Sequence, residues 1–195
     1  MFVDHVAFES VPDYARVQPD VLRDVRSRLL HERSLAAALD AAFVAIERRQ
    51  PAVANFIAHD LAGIDAPAAQ GVAYFLAMLV VLSFEEAFGR RLGCIELADL
   101  TLSLDRLLTD GELRATGSAG RFYSEDALAL GQPAIIRLLR AEFDVALSSL
   151  PKNAESEGEA ALLTKQLETF YQTLLVLTLA LTQAVAPRAF SDYSS

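Results

Sequence analysis

The run from Gly71 to Leu82 holds 12 residues with no charge and no side-chain amide, and it constrains the fold more than any other stretch. Wound into a helix, such a run is apolar on every face, so each side must find a partner. It falls short of the roughly 18–20 residues that a bilayer span needs. Glu85 and Glu86 follow directly, without the Lys/Arg and Trp/Tyr flanks that anchor a span. The segment 66–88 is therefore expected to be the buried central helix of a bundle, opened by Asp65 and Pro67 and ended by Gly89.

The remaining apolar spacing is also helical. Val21, Leu22, Val25 and Leu29 form one stripe over 20–32, with Asp20 as N-cap and Asp24 paired to Arg28. Ser34 caps the segment 34–49, whose buried face is Leu35, Leu39, Ala42, Phe43 and Ile46. The polar cluster between these segments leaves open whether they form one helix or two. Pro51 suits the first turn of a helix to about Ala62, and Gly63 is expected to end it in a left-handed conformation. Over 95–116 the leucine spacing favours a helix, although Asp110-Gly111 also reads as a hairpin turn. The glycines of 110–124 mark a loop. Gln132-Pro133 opens a helix to Leu150, followed by a polar connector over 151–158. The helix over 159–186 carries Leu163, Leu167, Phe170, Leu174, Leu177, Leu181 and Ala184 in steps of four and three, a coiled-coil-like seam closed by Pro187. The tail beyond about 187 is expected to be mobile. No repeat of 20–50 residues is apparent. The expected fold is all-α, a single-domain helical bundle of six or seven helices over 1–195.

Charge narrows the function classes. Twenty-six acidic residues against 17 basic ones leave a net charge of −9, and the basic residues of the first 50 positions are interleaved with acids. No basic face is expected, and with it no nucleic-acid partner. The N-terminal ten residues carry acids without a basic start, unlike a secretory signal. A cytoplasmic protein with no membrane partner is expected. One cysteine, Cys94, excludes an intramolecular disulfide framework. It follows Arg90, Arg91 and Gly93, and is read as a small, semi-buried residue beside arginines that complement a helix C-terminus.

No Glu-x-x-His, His-Glu-x-x-His, P-loop or nucleophile-elbow pattern occurs, so neither a metal site nor a cofactor is expected. Glu85 and Glu86 end the apolar helix, but adjacent helical positions point about 100° apart and do not chelate together; Glu86 is expected to pair with Arg90. His59 lies off the apolar stripe of its helix. Tyr74, His59, Glu85 and Glu86 are the polar groups that an interhelical small-molecule pocket would use. Arg114, Arg121 and Tyr123, with Phe122, give the 110–124 loop charge and aromatic surface for an anionic ligand or a protein partner. Two readings result. One is a non-enzymatic interaction or regulatory protein, self-associating as a homo-oligomer through the seam of the last helix. The other is a ligand-binding protein or enzyme with a pocket between helices, with metal binding by convergent histidines a lesser variant.

Overall fold

A computed structural model describes residues 11–115, 124–148 and 157–187. Among them are eight α-helices and no named strand: α1 (Pro19–His31), α2 (Leu35–Arg49), α3 (Pro51–Leu61), α4 (Pro67–Phe88), α5 (Leu97–Ala115), α6 (Ser124–Gly131), α7 (Pro133–Ser148) and α8 (Glu157–Gln183). The architecture is all-α, as the periodicity requires. The helix beyond the expected six or seven is α6, whose eight residues are too few to show an apolar stripe.

α4 is the hub. It packs against α1, α2, α3, α7 and α8. Every residue from Leu76 to Val81 is fully buried, as is Phe84, so the apolar run is covered on all sides over that stretch, while Gly71 and Val72 at its start are exposed. By length and composition this helix is apolar enough to cross a membrane, with mean hydropathy 1.7, and its neighbours cover half of that window. Each large apolar side chain so buried contributes about 1.5–3 kcal/mol. Gly89 ends the helix at φ 50°, ψ −120°, the one positive φ among the described residues.

α8 lies against α4 and also touches α3, α5, α6 and α7. Leu167, Phe170, Leu174, Leu177 and Leu181 are all buried by the chain itself. The seam that the sequence offered to a second subunit is thus filled intramolecularly. The helix stops at Gln183 rather than 186, because the chain turns extended to pair Val185 with Leu92. Gly93 N donates to Ala184 O at 2.9 Å and Ala186 N to Arg91 O at 2.8 Å, which ties the ends of the two longest helices together.

α1 and α2 are separate helices, which settles a choice the sequence left open, and Ser34 caps α2 as expected by accepting from Ala37 N. Other local expectations are corrected. α1 begins at Pro19, with Gln18 rather than Asp20 at the N-cap, because proline suits a first turn that needs no amide donor. Asp24 pairs with Arg23, which leaves Arg28 for Glu86. Gly63 has no positive φ; α3 unwinds instead through tight turns, Gly63 N to Asp60 O and Ile64 N to Leu61 O. α5 continues through Asp110-Gly111 to Ala115, so there is no hairpin and the loop does not begin at 110. Burial of Leu100, Leu104 and Leu107 along α5 outweighs the roughly 1 kcal/mol that a helical glycine costs. Leu150, the connector from 151 to 156, and the tail from 188 lie outside the described residues.

Candidate functional site

The candidate polar groups on α4 face different neighbours and serve as ties between helices. Tyr74 Oη donates to Leu39 O on α2 at 3.2 Å and lies 3.4 Å from Asp40 Oδ1; its ring meets Phe43 edge-on. Eleven residues further along, Glu85 takes both ends of the Arg49 guanidinium, Nε at 3.0 Å and Nη2 at 2.7 Å. Glu86 does not pair with Arg90 as expected. It accepts from Arg28 on α1 at 3.1 Å, because its position on α4 faces that helix. Residues 100° apart on one helix therefore anchor two different neighbours.

Burial raises the carboxyl of Glu85 above its ordinary value of 4.5, and the Arg49 cation opposes that shift. Tyr74 is pushed up to about 12, chiefly by burial and then by the Asp40 charge and hydrogen bond. The folded protein holds the phenol proton more tightly than the unfolded chain does. Stability from this group is complete below pH 10, and falls as pH rises from the unfolded value of 10.0 through about 12. In a spectrophotometric titration, one tyrosine is expected to ionise near pH 12, and Tyr74→Phe should remove that late step. A late step that persists in the variant would contradict the assignment.

His59 is exposed on α3. Tyr74, Glu85, Glu86 and His59 do not converge on a cavity. An open surface notch of about 390 Å³ is lined by Asp24, Ser27, Arg28 and His31 of α1, and Glu86 adjoins it through Arg28. Its histidine is committed to its own helix, with Nδ1 2.7 Å from Ser27 O. Arg114 falls within the last turn of α5 rather than in a loop, while Arg121 and Tyr123 lie outside the described residues. Among the described residues, no three His, Cys, Asp or Glu side chains gather to hold a metal ion. Cys94 is exposed, not semi-buried, with Sγ 3.7 Å from Arg49 O. Arg91 lies over the Phe88 ring at 5.3 Å and reaches Ala186 O, so it joins the helix ends rather than a ligand.

The polar groups that the fold does bury went unread in the sequence. Gln132 is fully buried: its Oε1 accepts from Val17 N at 2.9 Å, and its Nε2 donates to Ala15 O at 2.6 Å and Thr182 Oγ1 at 3.1 Å. Gln50 is buried likewise, accepting from Ile95 N at 2.8 Å and donating to Gly93 O at 2.9 Å. Each carboxamide clasps an extended tripeptide as a neighbouring strand would. The available signal was a Gln-Pro pair between two helical stripes, found at both positions. Proline excludes the residue before it from the α region, so the glutamine is held at a break where its side chain turns inward.

Ser103 Oγ is buried with no hydrogen-bond partner, alone in this among the described residues. The outer surface of α5 exposes three leucines, Leu97 at 66%, Leu102 at 48% and Leu108 at 51%, among Thr101, Asp105 and Thr109. Searches of protein-family models, of curated proteins and of solved structures find no match.

Proposed function

We propose that the protein is a cytoplasmic, non-enzymatic interaction or regulatory protein that self-associates, with no nucleic-acid or membrane partner. The observation that carries this reading is the outer surface of α5. Leu97 and Leu108 are eleven residues apart, which at 100° per residue brings them within about 20° of one another along one edge of the helix. Leu102 adds apolar area on the outer side. Exposed leucines on one helix, set among Thr101 and Asp105, support contact with another protein surface that has an apolar centre and polar surroundings. The seam of α8 lends no support, being filled by the chain itself.

The test is sedimentation of the purified protein at increasing concentration. Dimerisation is expected, and the double variant Leu97→Glu with Leu108→Glu should weaken it at least tenfold, about 1.4 kcal/mol, with the melting temperature unchanged. A parent that remains monomeric at the highest attainable concentration overturns self-association. A variant that dimerises as well as the parent moves the interface away from α5.

A further inference from the structure

We infer that the chain is an internal duplication: two four-helix units, α1–α4 and α5–α8, pair with each other as two subunits of a homodimer would. This stands independently of the proposed function, since it concerns the buried face between the halves and not the outer surface of α5.

The two clasps carry the argument. Gln132, in the second unit, grips Ala15 and Val17, which lead into α1 of the first. Gln50, in the first unit, grips Gly93 and Ile95, which lead into α5 of the second. In both, Nε2 donates to one carbonyl and Oε1 accepts from the amide two residues later. The middle residue of each tripeptide also reaches the carbonyl just before the glutamine: Arg16 Nε to Gly131 O at 3.1 Å, and Cys94 Sγ to Arg49 O at 3.7 Å. Each half gives the other what it receives, the signature of an isologous, two-fold contact.

Helix packing repeats the pattern. α1 on α4 matches α5 on α8, α2 on α3 matches α6 on α7, and across the halves α3 on α8 matches α7 on α4. α4 and α8 meet each other, and their ends join in the antiparallel Leu92–Val185 bridge, as self-paired elements at a two-fold axis would.

The register of buried residues is equally consistent. With Gln50 aligned to Gln132, Ile46 falls on Leu128, Val53 on Ile135, Ala54 on Ile136 and Ile57 on Leu139, all buried. Gln50-Pro-Ala-Val and Gln132-Pro-Ala-Ile share their first three residues and end on a β-branched one. With Val17 aligned to Ile95, Leu22 falls on Leu100 and Val25 on Ser103, again all buried. The unpartnered Ser103 hydroxyl thus occupies a position that the first unit fills with valine. The spacing is 82 residues at the glutamines and 78 at the tripeptides, beyond the period at which a short repeat would be noticed.

A two-fold unit has two equivalent crossings between its halves, of which the chain uses one covalently. The test is therefore a circular permutant of the full chain. Ser195 is joined to Met1, so that residues 188–195 and 1–10 become a connector able to reach roughly 60 Å, and the chain is opened between Gly89 and Arg90. It is expected to keep the parent's helical circular dichroism and a cooperative melt. A second measurement uses the register: Ser103→Val should raise the melting temperature by about 2–4 °C, and Val25→Ser should lower it by at least as much. A permutant with no cooperative transition overturns the duplication, and so does a Ser103→Val protein that melts below the parent.

Discussion

Gln132→Leu is expected to destabilise the protein by about 2–5 kcal/mol in urea unfolding. The substitution nearly preserves volume but strands Val17 N–H and Ala15 C=O in the core, where Gln132 is fully buried. An orphaned buried donor or acceptor costs about 1–3 kcal/mol, and two are created. Thr182 also loses a donor to its hydroxyl, though that hydroxyl still donates to Thr178 O at 2.7 Å. The damage should be local before it is global. Amide exchange at Val17 is expected to accelerate well beyond exchange in the middle of α4, because the arm ahead of α1 can lift away without unpacking the hub. Unfolding within about 0.5 kcal/mol of the parent, with Val17 still protected, would show that water or a shifted backbone replaces the clasp.

Phe84→Ala is expected to cost about 3–5 kcal/mol, the range for emptying a large aromatic from a close-packed core. Phe84 is fully buried on α4 and packs against Phe88, ring centroids 5.6 Å apart. The helix that carries it is packed against α1, α2, α3, α7 and α8, so the space should not collapse. Urea unfolding followed by circular dichroism measures the loss. A cost below about 1 kcal/mol would mean that the surroundings close over the cavity, and that the hub is softer than its burial implies.

The elements that were legible in the sequence are those whose burial imposes a period. α4 was readable because an all-round apolar helix has one place in a bundle, and α8 because its leucines recur in steps of four and three. The proline-led starts of α3, α4 and α7 follow from the fixed φ of that residue, and Ser34 from its capping chemistry. α6 escaped because two turns leave no stripe. The partners of Arg28 and Glu86 escaped because spacing along one helix finds neighbours on that helix alone, and theirs lie 58 residues apart. The same blindness hid the clasps. Gln50 and Gln132 look like ordinary polar residues at helix breaks until residues 45 and 115 positions away supply their partners. The candidate polar groups Tyr74, Glu85 and Glu86 stood out in the sequence as the ones an interhelical pocket beside the apolar helix would use. What the sequence could not give was their use, which is to fasten that helix to α1 and α2.

The tie between Leu92 and Val185 bears on how the protein matures. Vectorial synthesis delivers α4 early and one of its main covers, α8, last. The arm at Ala15–Val17 waits for a glutamine that leaves the ribosome more than a hundred residues later. Until α8 has left the ribosome, the nascent chain carries its greasiest helix uncovered on one side, which makes it a natural client for chaperones that hold such segments. Final closure therefore waits on α8, and a product that stops before Val185 is expected to aggregate more readily than the full chain.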